Sequence, residues 1–273
     1  MNTLSPDLYG EEENSFAKNL NFIKGPHPHA TLFVDKQCFY VDSVSSQYKI
    51  ALLAEPPVIE PFLERWILNN YDKFDAIITH QKQYCQLSSK FKFCPIWVRH
   101  RLVAKSQKEC RKNMRFYKKT KMTSAIFSNK RCSMGHELRF KIRNKLKDKI
   151  DIYGRGHKFI EDKIEGIKDY RYHVCVETVN ASICSMLLTD AVLCGSVPIY
   201  WGNRESNVND YFNMDGVILF NSMEELEHIL NKTVSKEDYD KRMVAMKENF
   251  DVAKELNMHD ILWNFCIKDF FKK

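Results

Sequence analysis

"TDAVLCGSVPIYWG", residues 189–202, decides the fold. It closes an apolar segment of helical length, "SICSMLLTDAVLC" (182–194), with Gly195 and then a short β-rich run, "VPIYW" (197–201). A helix that is apolar all round is buried. A glycine just past its last turn is the residue that takes a left-handed C-cap. Pro198, early in the following run, points to a strand start or an edge strand, because proline donates no ladder hydrogen bond. Gly202 ends the run. Helix, glycine, strand and glycine make one repeat of a layered α/β fold, whose ligands bind beyond the carboxyl ends of the strands.

The same alternation extends in both directions. Upstream, "ATLFVD" (30–35), "KIALLAE" (49–55), "FDAIIT" (74–79) and "KFCPIWV" (92–98) read as strands. "IEPFLERWILNNY" (59–71) reads as a helix, with Ile59, Phe62, Leu63, Trp66 and Ile67 at helical spacing. "LVAKSQKECRKNMRFYKKT" (102–120) is polar and basic and is expected to be a bridging helix. In the second half, "TSAIFSN" (123–129), "IDIYG" (150–154), "YHVCVE" (172–177) and "GVILF" (216–220) read as strands. "GHELRFKIRNKLKDK" (135–149) reads as a helix, and "SMEELEHILN" (222–231) opens with a Ser222/Glu225 capping box. Two more helices are expected near 235–250 and 258–270. Strands alternating with helices mean parallel sheets with helices on their faces. The fold class is therefore α/β, with two Rossmann-like domains facing a cleft. The expected boundaries are an arm over 1–28, a first domain over 29–118, a second over 119–250 and a terminal helix over 251–273.

Composition narrows the function. The chain has 273 residues, 44% of them hydrophobic, enough for a real core. Its 42 Lys and Arg exceed 35 acids by seven, but they are mixed with the acids along the chain. That balance suits an anionic ligand, and no basic stripe argues for nucleic acid. The nine cysteines show no C-x-x-C and no zinc spacing, and several lie in apolar runs. They read as small core residues in a reducing compartment. "HPH" (27–29) reads as a loop, and "DYD" (238–240) as part of a charged helix, so no metal site is expected. No signal peptide and no run of about 18 apolar residues is evident, so the expectation is a soluble, cytoplasmic protein without a transmembrane segment. Its shortness looks bacterial or viral.

Residues 120–232 resemble the α-1,3-fucosyltransferase family. The likeness is carried, in order, by "AIFSN", "LRFKIRNKL", "IDIYGRG", "YRYHVCVET", "TDAVLCGSVPIYWG" and "GVILFNSMEELEHIL". The first half is similar more faintly, through "IALLAEPP" and "KFDAIITHQKQY". The resemblance implies a two-domain GT-B fold and an inverting transfer with no obligatory metal. GDP-fucose is the donor it implies, and a glycan the acceptor. It implies that Glu55 is the base, that Arg139 grips the donor diphosphate, and that Glu177 stands where the family carries the Glu of its "FEN" motif. Where the family then reads T-E-K, its Glu contacting ribose and its Lys the diphosphate, this chain has Ser185, Met186 and Leu187. A UDP-linked sugar such as UDP-xylose is the alternative donor, and a non-catalytic glycan- or partner-binding relative the alternative class.

The residues themselves are compatible with these roles and also with plainer ones, a surface strand-end acid at Glu55, a solvated helix face at Arg139 and surface cations at Lys130, Arg131 and Arg155. Glu55 leaves an apolar strand before two prolines, where a carboxylate emerges at a sheet end and can take a hydroxyl proton. The guanidinium fork of Arg139, one turn into its helix, suits phosphate. Glu177 ends a strand, where it can accept from ribose hydroxyls or cap the next helix. Asn180 and Ser182 can cap the buried helix and point amides at a phosphate. Asn129, Tyr153 and Arg155, at strand ends, complete the donor-binding candidates, with Lys130 and Arg131 as further cations.

Overall fold

The computed structural model describes residues 2–3, 23–24, 28–94, 96–97, 102–103, 107–180, 184–202, 208–256, 261 and 268. The chain divides into two compact units, the first containing the described residues up to Trp97 and the second containing 102–180 and 184–256. The expected terminal helix near 258–270 and most of the arm over 1–28 lie outside the described residues.

The first unit is built on a parallel sheet. Its strands are β1 (Asn2–Thr3), β2 (Ile23–Lys24), β3 (Ala30–Val34), β4 (Tyr48–Leu53), β5 (Ala76–Thr79) and β6 (Phe91–Phe93), in the order β2-β1-β3-β4-β5-β6. A two-residue strand β7 (Ile96–Trp97) completes the run expected at 92–98. Helix α1 (Pro61–Asn70) joins β4 to β5 and starts with Pro at its first position, where the missing N–H is no loss. It buries Leu63 and Ile67 against Phe33, Ala51, Leu53 and Ile77. All of β3 and β5 is buried, as parallel strands covered on both faces are. The links from β3 to β4 and from β5 to β6 are 3-10 segments, Asp35–Ser43 and Lys82–Gln86, where full helices would complete a Rossmann repeat.

The second unit holds β8 (Lys121–Ile126), β9 (Asp151–Tyr153), β10 (Tyr170–Val176), β11 (Cys184–Ser185), β12 (Val197–Trp201) and β13 (Ile218–Leu219). Its sheet runs β13-β12-β10-β8-β9, with every pair parallel. Counted from β8, the strand order is 2-1-3-4-5. The chain leaves β8 to one side for β9 and returns to its other side for β10. This reversal opens a crevice at the carboxyl ends of β8 and β10.

The helices of this unit are α2 (Gln107–Lys112), α3 (Met134–Leu146), α4 (Met186–Leu193), α5 (Val208–Tyr211), α6 (Met223–Lys232), α7 (Lys236–Lys241) and α8 (Met243–Glu255). Among the described residues, the helix expected over 102–120 is present only as α2. Leu102, Val103, Cys110 and Met114 are buried, and the chain after Met114 runs on without helix to β8. The buried helix starts at Met186 rather than 182, and Leu188–Leu193 are all buried. Asp190 on α4 is buried and pairs with Lys163 Nζ at 3.0 Å. Gly195 takes the left-handed cap, with φ +71. Pro198 is no edge residue: it pairs with His173 inside the sheet. It does sit at a strand start, since pairing to β13 begins only at Ile199. At α6 the capping box is half formed. Ser222 Oγ accepts from the Glu225 N–H at 3.1 Å, but Glu225 reaches back to Asn221.

The amino ends of β8, β10 and β12 are held together by one side chain. Lys119 Nζ donates to the carbonyls of Lys168 and Cys194, at 2.9 and 2.6 Å, and to Ser196 Oγ at 2.9 Å. Ser196 Oγ in turn donates to the Tyr170 carbonyl at 2.7 Å.

Candidate functional site

The crevice of the second unit contains a cationic pocket. Its lining is Ser128, Asn129, Lys130 and Arg131 from the loop after β8, Arg139, Phe140 and Arg143 from α3, and His157 from the turn after β9. The cavity volume is about 70 Å³, room for about five water-sized groups, the bulk of a phosphate. Phe140 organises the cations: the Arg131 guanidinium lies 4.0 Å from its ring centroid and that of Arg143 4.5 Å. Such stacking favours two like charges near one apolar ring. Arg131 also holds Glu137 through two hydrogen bonds of 2.9 Å. Burial, then Arg143, pushes the His157 imidazole below its ordinary value.

Arg139 is fixed from behind. Its Nε donates to the Val176 carbonyl, the last residue of β10, at 3.0 Å, and its Nη2 reaches the same oxygen. Burial lowers its value while the Glu177 carboxylate raises it. Glu177 is buried and accepts from Tyr200 Oη at 3.0 Å. The start of α3 is packed onto this strand end. Gly135 N–H donates to the Thr178 carbonyl at 3.1 Å, and a Cβ at Gly135 would stand 1.7 Å from the Glu177 carbonyl oxygen. Only glycine allows the helix that close. Ser133 caps α3 by accepting from the His136 N–H at 3.2 Å, so the helix amino end is partly satisfied by the protein itself. Charge at the pocket therefore comes mainly from side chains.

The structure brings Arg139, Asn129, Lys130 and Arg131 to this pocket, with Glu177 against Arg139 from the adjoining strand end. Tyr153 is not among the lining residues. It is buried and its hydroxyl lies 2.6 Å from that of Tyr170, because β9 turns that side chain into the core. Arg155 is exposed on the following turn, and Asn180 is exposed too. Asn180 cannot cap α4, since Cys184–Ser185 is a strand between them. Ser182 lies outside the described residues. His157 and Phe140 were not singled out in the sequence, where an imidazole in a glycine turn and a phenylalanine on a basic helix carry no distinctive signal.

Glu55 lies in a second hollow, within the first unit. It is lined by Leu53, Glu55, Pro57, Glu60, Leu63, Glu64, Thr79, His80, Gln81 and Tyr84. The hollow sits at the carboxyl ends of β4 and β5. Asp35 stands at the end of the adjacent β3 with φ +48, a left-handed conformation that Asp tolerates better than most residues. Its Oδ1 accepts from the N–H groups of Ala54 and Glu55, at 2.8 and 3.1 Å, and so fixes the backbone that presents Glu55. Burial pushes the Asp35 carboxyl up to about 6, against the pull of those two N–H groups. Burial likewise raises Glu64 and pushes the His80 imidazole down to about 4. His80 is 3% exposed, and among the described residues neither ring nitrogen has a hydrogen-bond partner. The Leu53 carbonyl acts on the ring without completing a hydrogen bond with it. Asp35 and His80 were missed in the sequence. The available signal was position alone: "FVD", "LLAE" and "IITH" end three neighbouring strands with polar residues.

Among the described residues no group of three His, Cys, Asp or Glu could hold a metal ion, and no helix is long and apolar enough to cross a membrane. Asp238 of "DYD" instead accepts from Tyr172 Oη and from Arg242.

No protein-family model and no curated protein matches the chain. Solved structures do. The pneumococcal O-GlcNAc transferase GtfA, in complex with UDP and GlcNAc, is similar at 12% identity and TM-score 0.52, over 89% of this chain and 57% of that one. The chain thus spans little more than half the length of that enzyme. An α1,3-fucosyltransferase is similar at 12% identity and TM-score 0.48, over 94% of this chain and 82% of that one. Likeness at such identity is likeness of fold. Two α/β units with parallel sheets, each with a hollow at its strand carboxyl ends, have the architecture of the GT-B glycosyltransferases.

Proposed function

We propose that the chain is an inverting glycosyltransferase, moving a sugar from a nucleoside-diphosphate donor to a glycan hydroxyl. The observation that carries this reading is the cationic pocket at the strand-order reversal of the second unit. A departing diphosphate needs neutralising, and preorganised cations there supply it without a metal. On this reading Arg139, Lys130, Arg131 and Arg143 hold the diphosphate, and Asn129 contacts it. Glu177 orients Arg139 and lies close to the ribose. The first unit holds the acceptor. Glu55 takes the acceptor hydroxyl proton, the oxygen attacks the anomeric carbon from the face opposite the leaving group, and the nucleoside diphosphate departs with the bonding electrons. Arg155 and Asn180, both exposed, are candidates for the outer donor contacts.

The resemblance of residues 120–232 favours GDP-fucose. The change of T-E-K to Ser185, Met186 and Leu187 favours a UDP-sugar, and the structural likeness to an enzyme solved with UDP supports that alternative. Cys38, Cys85, Cys132 and Cys194 carry free thiols, which supports a reducing, cytoplasmic setting. Calorimetric titration of the purified protein with GDP, UDP and their sugar conjugates, without metal, tests the reading. Micromolar binding of one nucleotide is expected and selects the donor. No binding of any, repeated with manganese, would leave the non-catalytic reading.

A further inference from the structure

We propose that the hollow at the carboxyl ends of β4 and β5 takes a hydroxyl of an uncharged sugar, with His80 as the positioning residue that receives it, and that it rejects anionic sugars. The proposal rests on the reading of the first unit as the acceptor side and names the acceptor class.

Three observations carry it. His80 is buried to 3% exposure in the lining of the hollow with neither nitrogen partnered among the described residues, an arrangement rare for a buried polar group. A neutral imidazole has one donor and one acceptor nitrogen, and a hydroxyl can serve either of them. The cavity volume is about 20 Å³, enough for a single hydroxyl-sized group to enter while the rest of a sugar stays at the mouth. Among the described residues the lining supplies three carboxylates, Glu55, Glu60 and Glu64, and no Lys or Arg. Glu60 is answered by Lys36 at 2.9 Å, which leaves Glu55 and Glu64 facing the hollow. Carboxylates accept from sugar hydroxyls and repel carboxylate, sulfate or phosphate substituents.

The geometry also orders the roles. His80 follows β5 directly and Glu55 follows β4 by two residues, and these strands are neighbours with Leu53 paired to Thr79. One sugar can therefore offer one hydroxyl to His80 and an adjacent one to Glu55. His80 then sets which hydroxyl Glu55 meets.

The test uses the full-length protein labelled with nitrogen-15 in its histidines. Ring nitrogen shifts are followed on adding the methyl glycosides of glucose, galactose and N-acetylglucosamine, and then glucuronate and galacturonate, to 100 mM. The expected result is a saturable shift of the His80 ring nitrogens with at least one uncharged glycoside, at least tenfold weaker with the matching uronate, and absent in His80→Phe. Uronates acting as strongly as the glycosides would overturn the proposal. So would glycosides that leave the His80 nitrogens unmoved, which would make water the only occupant of the hollow. Saturation transfer to the glycoside protons, which needs no imidazole, reads the variants: binding is expected to be lost in His80→Phe and kept within about tenfold in His80→Gln, which retains a donor and an acceptor, and loss in the Gln variant would overturn the proposal. UDP and GDP titrated into the same sample separate this inference from the one it rests on. Nucleotide binding without glycoside binding sinks the acceptor class alone, and glycoside binding without nucleotide binding sinks the transferase reading alone.

Discussion

Replacing Asp35 by Asn removes a buried charge and leaves an acceptor in its place. In the folded protein Asp35 binds its proton more tightly than the unfolded chain does, since burial lifts its value from 3.8 to about 6. Ionised Asp35 therefore opposes folding above pH 6, and this opposition fades as the pH falls from about 6 to 3.8. At about 1.36 kcal/mol per tenfold change in proton affinity, the full effect at neutral pH is about 3 kcal/mol. The side chain is partly exposed, and the variant's amide nitrogen needs a partner, so a gain of about 1–3 kcal/mol at pH 7.5 is expected. Asn keeps the oxygen that accepts from Ala54 and Glu55 and tolerates the left-handed backbone. Urea unfolding of both proteins at pH 7.5 and pH 4 measures it, with the variant more stable at pH 7.5 and about equal at pH 4. His80 makes a second signature. Its value falls from 6.5 to about 4, so the unfolded chain takes that proton first and stability is lost as pH falls through this window. In the wild type the two groups offset each other; in Asp35→Asn the loss on acidification is steeper. An Asn variant less stable than wild type at pH 7.5 would refute the reasoning, because the hydrogen bonds to the charged carboxylate would then outweigh its burial.

Three other substitutions probe the two hollows. Arg139→Ala should weaken nucleotide binding by about 10- to 100-fold, the worth of one charge-assisted contact, and unchanged affinity by calorimetry takes Arg139 out of the donor site. Glu55→Gln should slow transfer by at least about 100-fold with the donor dissociation constant within about twofold; a retained rate assigns the base elsewhere. Gly135→Ala should destabilise the second unit by about 3 kcal/mol or more, because its Cβ would stand 1.7 Å from a backbone oxygen. An unchanged thermal midpoint would show that α3 can lift from β10 freely.

Most strands were legible because parallel strands covered on both faces leave near-continuous apolar runs, as in "ATLFV" and "YHVCV". Gly195 was legible for a related reason: only a few residue types accept the conformation that ends a buried helix. Strand order was not legible. Nothing in "AIFSN" or "IDIYG" says that β9 and β10 lie on opposite sides of β8, yet that reversal makes the pocket. Arg139 and Asn129 were singled out by motif position, and both line the one pocket that the reversal makes. Tyr153 misled because a tyrosine ending a strand faces in or out according to a register the sequence does not display. Asp35 and His80 escaped because their special character comes from burial and backbone angle, which single residues after apolar runs do not announce.

The Lys119 cluster has a consequence in time rather than in energy. Its three acceptors lie 49, 75 and 77 residues along the chain, Lys168 just before β10 and Cys194 and Ser196 together in the turn before β12. Contacts across such distances close late, because long loops must be ordered first. The ammonium can engage only after β8, β10 and β12 stand side by side, so its bonds form on the native side of the folding barrier. Lys119→Met should then leave the refolding rate within about twofold in stopped-flow mixing, while unfolding speeds up by about tenfold or more. This lysine governs how long the second unit persists once made, and has little say in how fast it is made.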